Sequence, residues 1–278
     1  MLLMNDKVDV SMVFKAVSLP KLNMSKKFWI TLGVIFWLYF VVSNLPAVWG
    51  AYLLTRSGDI AMNGVSGTLW SGRASLASIK VKGVDHSLGQ LTWKLNLLSF
   101  LTLKPCALIG THMDNQEFDG VVCMRGKNGI TVKDASVSFP AALVQPLLPL
   151  AISGQFALTI ERLEIGELQL LGLRAKATWM DSKIYNGSNW MNLGGIGAEL
   201  TDDGKKGLNA HIFDVNSPLH VDLLGNLPYP TGAAIKGSFS LPEPYFREIN
   251  AGAWVSMFAT QQPNDAQGNL TYAVDLNF

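Results

Sequence analysis

Hydrophobic and polar positions divide the chain into two zones, and the first is one uninterrupted apolar run. Residues 28–55 contain no Asp, Glu, Lys or Arg. A helix needs roughly 20 mostly apolar residues to cross the ~30 Å hydrocarbon core of a bilayer. The run therefore predicts a single N-terminal transmembrane helix over residues 28–48. Pro46 should lie near its outer end, because proline removes a backbone donor from a helix.

Two other interpretations of this run are a buried core helix and a cleaved signal peptide. A core helix is rarely this long without a charge. A signal peptide usually has an apolar core of only ~7–15 residues and a small-residue cleavage site, which the aromatic end of this run lacks. Trp29 and Trp49 fall near its two ends, where amphipathic rings prefer the headgroup layer. The pattern therefore favours a membrane span.

The flanking charges predict the orientation of the span. Lys15, Lys21, Lys26 and Lys27 precede it, whereas Arg56 is the one basic residue just beyond it. Basic residues accumulate on the cytoplasmic side of a span. We therefore expect residues 1–27 to be a cytoplasmic segment and residues 49–278 to be an exported domain.

Beyond the span, the hydrophobic pattern changes to a period of two, which is typical of strands with one buried and one wetter face. Five runs alternate strictly, and their apolar members are Ile79 and Val81; Leu91, Trp93 and Leu95; Phe156, Leu158 and Ile160; Leu171, Leu173, Ala175, Ala177 and Trp179; and Leu270, Tyr272, Val274 and Leu276. The predicted fold class is mainly β, with many short antiparallel strands and one or two short helices.

Turn chemistry separates these runs, because Asn, Asp and Gly tolerate positive φ. The predicted hairpin turns lie at residues 127–129, 186–187 and 202–206. Two stretches lack the alternation. Residues 140–151 predict a short helix or a packed loop, because they are apolar and rich in proline. Residues 243–258 predict a helix that is weakened by Gly252, with an apolar side made of Tyr245, Phe246, Ile249 and Trp254.

The two cysteines, Cys106 and Cys123, both lie in the exported part. An oxidising compartment favours a disulfide between them, and a loop of this length would make it worth about 3 kcal/mol in the chain-entropy model. If a hairpin turns at residues 113–116, the two cysteines face each other on neighbouring strands. The alternative is two buried free thiols. A metal site is disfavoured, because no nearby His or further Cys supplies the other ligands.

Composition and motifs point away from catalysis and nucleic acid. The net charge is +1, so bulk electrostatics do not favour nucleic-acid binding. The four histidines, His86, His112, His211 and His220, have no metal-ligand spacing. The sequence contains no G-x-S-x-G elbow and no P-loop. We therefore expect a non-enzymatic protein without cofactor or metal, and an envelope hydrolase is only a third hypothesis.

One glycine-rich motif, GVSGTLWSGRA at residues 64–74, is the strongest candidate for a functional site. In a structural interpretation, Gly67 and Gly72 bracket a tight strand in which Leu69 and Trp70 pack into the protein. In a functional interpretation, Leu69, Trp70 and Arg73 form a partner interface, because Trp and Arg are enriched at interaction hot spots. Alternation places Trp93, by contrast, on the buried face.

Several stretches, in this order, resemble the type II secretion system protein N family. They are NLPA at residues 44–47 after the apolar run, GVSGTLWSGRA at 64–74, LTWKL at 91–95, FPAAL at 139–143 and LGGIGAEL at 193–200. The resemblance covers about residues 24–278. The first 23 residues lie outside the pattern, and the segment after Pro242 matches it weakly.

The resemblance implies a single-pass protein of the bacterial inner membrane with a periplasmic domain over residues 49–278. Such a protein would be an accessory component of the type II secretion system, and its partners would be other inner-membrane subunits and the bilayer around the span. The family is also similar to the AsmA-like group, whose curved β-sheets have apolar interiors. That similarity implies the alternative function, which is the handling of lipid or another hydrophobic ligand on the β-sheet.

Overall fold

The computed structural model describes residues 26–277, apart from 57, 82, 102–103, 127–128, 149–150, 167–168, 186, 188, 229–230 and 254. The chain separates into two compact units, Met1–Asn44 and Leu45–Phe278. The described part of the first unit is helix α1 and the residue that follows it. The second unit contains the sheet, and we call it the β domain. Most of the predicted cytoplasmic segment, residues 1–25, lies outside the described residues.

Helix α1 spans Lys26–Ser43 and is long and apolar enough to cross a membrane. None of its side chains is buried, unlike those of a core helix in a soluble protein. Among the described residues it is the one helix of sufficient length. These properties fit the predicted span by length and composition.

The apolar run is not one continuous helix, because α1 ends at Ser43 and a second helix, α2, spans Ala47–Thr55. The Asn44 side-chain amide donates to the Phe40 carbonyl over 2.8 Å and closes the last turn of α1. Pro46 has extended backbone angles and precedes α2, and proline disfavours a helical conformation in the residue before it. The break therefore comes before Val48, the last residue of the predicted span.

The β domain is one large antiparallel sheet, which confirms the predicted fold class. Its strands are β1 Ile60–Asn63, β2 Ser66–Gly67, β3 Ser71–Val81, β4 Val84–Asn96, β5 Cys106–Met113, β6 Gln116–Arg125, β7 Gly129–Pro140, β8 Ile152–Gly166, β9 Gln169–Tyr185, β10 Trp190–Asp202, β11 Leu208–Val215, β12 His220–Leu227, β13 Ala234–Leu241, β14 Ala259–Gln262 and β15 Leu270–Asn277. Two further helices are α3 Leu97–Leu101 and α4 Glu243–Glu248. The central strands are longer than predicted, and β9 has 17 residues.

Consecutive strands pair with each other along almost the whole sheet. The order is β1-β3-β4 and then each strand in turn to β13, followed by β15 and β14, and β2 pairs beside β1 along β3. All five predicted alternating runs lie in strands. Because each connection from β3 to β13 joins neighbouring strands, these local connections set the register from one strand to the next.

This register produces an unbroken cross-strand row of uncharged residues on one face. Adjacent members are paired residues on neighbouring strands, in the order Ala74, Leu91, Thr111, Phe118, Val137, Leu158, Ala177, Ala198, Ile212, Leu223, Gly237, Val274 and Ala259. We call the side of the sheet that carries this row the apolar face. From Phe118 to Leu223 its members are only half-buried.

The row one residue away points to the opposite side, because successive side chains of a strand alternate between faces. Its members are Arg73, Thr92, Gly110, Asp119, Ser136, Thr159, Lys176, Glu199, His211, Leu224, Lys236 and Asp275. Ion pairs cross it at Lys176–Glu199 and Lys236–Asp275. We call this side the polar face.

The hairpin predictions agree with the register where the structure describes them. Met113 pairs with Gln116, and Cys106 lies opposite Cys123. The two cysteines form a disulfide at the open end of this hairpin. The turn after Asp202 joins β10 to β11, with positive φ at Gly204 and Lys206. Lys127, Asn128 and Asn186 of the other two predicted turns lie outside the described residues.

The second predicted helix, over residues 243–258, is wrong as a single element. Helix α4 ends at Glu248, and two 3-10 turns follow at Ala251–Ala253 and Val255–Met257. Asn250 has a φ of 51°, a left-handed conformation that interrupts a right-handed helix. Residues 140–151 likewise contain two 3-10 turns, Ala141–Leu143 and Gln145–Leu147, in keeping with the predicted short helix or packed loop.

The segment that begins with α4 nevertheless covers one end of the apolar face. Ile249, Ala251 and Val255 are buried against Leu241 and Tyr272 of the last strands. The predicted apolar residues Tyr245 and Phe246 pack against the same cluster, and Trp254 lies outside the described residues. This cluster is a buried hydrophobic core of the β domain, whereas the side chains in the middle of the apolar face are only half-buried.

An ion cluster joins β6 to β8 across the intervening strand β7. The Glu164 carboxylate is largely buried and accepts hydrogen bonds from Arg125 and Arg162, the Nε of Arg162 lying 2.8 Å away. The hydrogen bond from Arg162, assisted by the charge of Arg125, holds the pKa of Glu164 below its ordinary value of 4.5, although burial opposes the shift.

This cluster predicts an acid-dependent loss of stability. Because the folded pKa is the lower one, ionised Glu164 stabilises the fold above about pH 4.5, and this contribution disappears as the pH falls through the folded pKa. Glu164→Gln should therefore lower the free energy of unfolding at pH 7 and weaken its fall in acid, measured by urea unfolding from pH 7 to pH 3. The control is Glu161→Gln, at an exposed carboxylate of the same strand, which should keep the wild-type pH profile. Equal profiles for Glu164→Gln and the wild type would contradict the prediction.

Candidate functional site

The glycine-rich motif folds as a tight hairpin at the first edge of the sheet. Ser66 pairs with Arg73 and Gly67 with Gly72, so that residues 68–71 form the turn. The Thr68 amide donates to the Ser71 carbonyl over 2.9 Å and closes it. The predicted strand between the two glycines is therefore wrong, because the glycines face each other across a hairpin.

Both glycines are required because neighbouring atoms leave no room for a Cβ at either position. Gly67 has a φ of 94°, and a Cβ there would lie 2.6 Å from the Ser71 carbonyl oxygen. A Cβ at Gly72 would lie 2.4 Å from the indole ring of Trp93. The motif thus allows a hairpin to close directly against a large aromatic side chain.

Leu69 is packed against helix α2. Its amide donates to the Leu45 carbonyl over 2.8 Å, and its own carbonyl accepts the indole N–H of Trp93 over 3.0 Å. A Cβ at Gly50 of α2 would lie 2.5 Å from Leu69 Cδ1. Leu69 therefore ties the motif to α2, and most of its side chain is not available to a partner.

Trp70 lies at the same end of the sheet, beside α3. Its ring meets the ring of Phe100 edge-on, with 6.1 Å between the centroids, and its carbonyl accepts the Leu95 amide over 2.7 Å. Leu97 and Leu98 of α3 are exposed at 53% and 74%. Trp70 is half-buried in a small, partly exposed apolar cluster.

Arg73 differs from both residues because it lies on the polar face and is exposed. Its Nε donates to the Ser66 hydroxyl over 3.3 Å. It lines a groove of about 600 Å³ together with Lys94 and Asp119, and Gly67, Gly72 and Gly110 leave the groove open. Within the described residues, neither Arg73 nor Lys94 forms an ion pair. The structure therefore does not place the three predicted interface residues on one surface, and the groove has an excess of positive charge.

An apolar cavity of about 340 Å³ lies beneath α2 on the other side of the same strands. Its lining is entirely apolar and includes Leu54, Met62, Ile79, Trp93 and Ile109. Trp93, which the sequence places on the buried face, is half-buried and separates this cavity from the groove.

The hydrophobic pattern did not predict the packing of α2 on the sheet, because residues 28–55 form one uninterrupted apolar run. The available signal was the spacing of small residues, since Ala47, Gly50 and Ala51 share one side of a helix. That side is the one that packs on the sheet.

The described residues contain no group of three His, Cys, Asp or Glu that could hold a metal ion. His112, His211 and His220 each pair with one carboxylate, of Glu117, Asp222 and Asp214 respectively. All members of these pairs are solvent-exposed except Asp214, which is half-buried, and His86 is also exposed. Their geometry is that of cross-strand surface pairs.

The close packing at Gly72 can be tested by a matched pair of glycine substitutions. Gly72→Ala should destabilise the β domain by about 1–3 kcal/mol, because the Trp93 ring must move. Gly172→Ala in β9 is the control, since its nearest neighbouring atom would lie 3.9 Å away. Urea unfolding of the full chain in detergent measures both. Equal stability of the two variants would contradict the packing argument.

Comparison with known proteins identifies the chain. The family model for the type II secretion system (T2SS), protein N, matches residues 59–269, which is more than half of the chain. The matched segment contains the whole glycine-rich hairpin and most of the sheet. No solved structure gives a significant match.

Three proteins named Type II secretion system protein N are similar in sequence. The protein of Vibrio cholerae serotype O1 is 27% identical over 167 residues, which cover 58% of this chain and 65% of that protein. The protein of Klebsiella pneumoniae is 27% identical over 183 residues, or 62% and 68% of the two chains. The protein of Aeromonas hydrophila is 28% identical over 168 residues, or 57% and 60%. The match thus spans less than two thirds of the Vibrio relative. The chain belongs to the type II secretion system protein N family.

Proposed function

We propose that this chain is an accessory, non-enzymatic component of the type II secretion system in the bacterial inner membrane. In this proposal α1 spans the membrane, residues 1–27 are cytoplasmic and residues 49–278 are periplasmic. The β domain binds or stabilises other inner-membrane subunits of the machinery. Family membership supports the secretion role.

The proposed topology rests on α1 and its flanks. The helix has 18 residues and no buried side chain, so it is about 27 Å long, and its apolar part after Lys27 is about 24 Å long, against a hydrocarbon core of about 30 Å. The lysines before the helix and in its first turn favour a cytoplasmic N-terminus. The disulfide between Cys106 and Cys123 suits an oxidising compartment such as the periplasm.

The groove beside Arg73 is the observation that carries the proposed partner contact. Arg73 and Lys94 are exposed cations without an ion pair in the part of the chain that the structure describes. Both lie on adjacent strands of the sheet, β3 and β4, and the glycines beside them leave room for another chain. Complementary charge steers association and selects partners. We infer that an acidic segment of another inner-membrane subunit docks in this groove.

Charge reversal tests this contact in living cells. Arg73→Glu/Lys94→Glu should reduce both secretion and the recovery of other secretion subunits with the protein, because the groove would repel an acidic segment. The control is Lys133→Glu/Lys183→Glu, which changes the net charge equally at exposed positions on other strands. Secretion of a reporter substrate and co-purification measure the effect.

Two outcomes distinguish the proposed groove contact from the proposed accessory role in secretion. Equal behaviour of the two double variants would remove the groove as the contact and leave the accessory role. Deletion of the whole gene with normal secretion and normal levels of the other subunits would overturn the accessory role itself.

A second candidate function is the shielding of lipid acyl chains, and the apolar face favours it. The row from Ala74 to Ala259 crosses the sheet without a charged residue, and its central members are only half-buried. The apolar cavity beneath α2 continues this face at its N-terminal end. An acyl chain suits such a surface, because it needs apolar contact and no hydrogen bonds.

Lipid on the sheet can be tested with a phospholipid that carries a photoreactive acyl chain, in nanodiscs that hold the full chain. Adducts are expected on the apolar face between β6 and β11. Leu158→Glu should remove most of them, whereas Thr159→Glu, on the polar face of the same strand, should retain them. Mass spectrometry maps the adducts, and circular dichroism checks the fold. Adducts confined to the two N-terminal helices would contradict this second function.

A further inference from the structure

Helix α2 has two unlike sides. Ala47 and Ala51 are buried, and Gly50 approaches Leu69 closely. The other side is made of large apolar side chains that are exposed, namely Val48 at 55%, Trp49 at 70%, Tyr52 at 69% and Leu53 at 68%. The smallest residues therefore face the sheet, and the largest face outward.

This arrangement is the reverse of an ordinary surface helix. Such a helix turns its apolar stripe to the core and its charged residues to water. Ala47–Thr55 contains no charged residue, so no polar side is available for solvent. Removing these exposed apolar side chains from water would be favourable. A contiguous exposed apolar surface of this kind marks a binding surface.

The length of the chain between α1 and α2 indicates what covers the exposed side of α2. Only Asn44, Leu45 and Pro46 separate Ser43 from Ala47, and a chain extends at most ~3.6 Å per residue, or about 14 Å here. If α1 spans the bilayer, Ser43 lies at the outer edge of the hydrocarbon core. The headgroup layer beyond that edge is about 5–8 Å thick. Whatever the angle between the two helices, α2 begins within reach of that layer.

The exposed residue types suit the same layer. Trp and Tyr combine an apolar ring with one polar group, and they are enriched where lipid meets water. Valine and leucine beside them can enter the acyl region. Helices that lie in the interface bury their apolar side ~5–10 Å into the boundary between headgroups and acyl chains.

Helix α2 is joined to the edge of the sheet by backbone hydrogen bonds. Contact of α2 with a membrane would therefore also hold the β domain near that membrane. Leu45 accepts a hydrogen bond from Leu69 over 2.8 Å. Pro46 forms a bridge with Thr68 just before the helix begins. A force that holds α2 at the bilayer is thus transmitted to the edge of the sheet.

We propose that α2 lies in the headgroup layer of the periplasmic leaflet, with Val48, Trp49, Tyr52 and Leu53 against lipid, and docks the β domain on the bilayer. The inference rests on the proposed function in one respect, which is that α1 spans the membrane. It adds a second membrane contact that belongs to the β domain itself.

The test uses spin labels on the full chain in vesicles of phosphatidylethanolamine and phosphatidylglycerol. Single cysteines are introduced as Tyr52→Cys and Leu53→Cys, and they can be labelled without reductant because Cys106 and Cys123 are joined. Val34→Cys in α1 reports on the span, and exposed Lys205→Cys in the β10–β11 turn reports on water. Collision rates with oxygen and with a water-soluble nickel complex measure the surroundings of each label.

We expect the oxygen-to-nickel ratio at positions 52 and 53 to exceed that at position 205 several-fold and to lie below that at position 34. A ratio equal to that at position 205, with position 34 in lipid, would overturn the α2 inference and leave the span intact. Labels at 52 and 53 that neither reagent reaches would also overturn it, because protein would then cover the helix. A water-exposed label at position 34 would overturn the span, and the inference would fail with it. Circular dichroism confirms the fold of each variant.

Discussion

The register of one antiparallel sheet is the constraint on which the β domain depends. Backbone groups in a sheet must pair across strands, and a shift of one residue would turn every side chain of a strand to the other face. The row from Ala74 to Ala259 stays uncharged across the sheet because each hairpin preserves the register of the one before. Each short connection therefore matters to surfaces that lie many strands away.

The sheet has many strands but little conventional core. The segment after Pro242 buries one end of the apolar face around Leu241 and Tyr272, and α2 covers the other end. Between them the apolar side chains remain half-buried. A surface of this kind is costly in water, which is the physical reason for expecting it to meet a lipid or a partner.

The three proposed contacts use different surfaces, so they do not compete. The groove beside Arg73 lies on the polar face, acyl chains would lie on the apolar face, and α2 presents its own outer side at the first edge. The glycine-rich hairpin stands at the centre of this arrangement. Leu69 holds α2, Trp70 contacts α3, and Arg73 enters the groove. Its glycines are required because the hairpin packs directly on Trp93.

Sequence pattern by itself determined the elements that depend on local chemistry. An uncharged run of sufficient length predicts a helix that could cross a membrane, and strict alternation identified strands such as β4, β8 and β15. The equal spacing of Cys106 and Cys123 about their hairpin turn predicted their pairing. The end of α1 at Ser43, the turn between Gly67 and Gly72 and the interruption at Asn250 were not predicted. In each of these, packing or backbone geometry overrides the local pattern.

Only the tertiary structure decided which residues share a surface. Leu69, Trp70 and Arg73 are close in sequence, yet the hairpin turns them toward α2, α3 and the polar face respectively. The two-sided packing of α2 has no polar stripe to reveal it, because the helix is apolar all round, and only the spacing of Ala47, Gly50 and Ala51 marks the side toward the sheet. Local sequence specifies how a segment folds, whereas the surface it shares depends on the neighbours that pairing and packing bring to it.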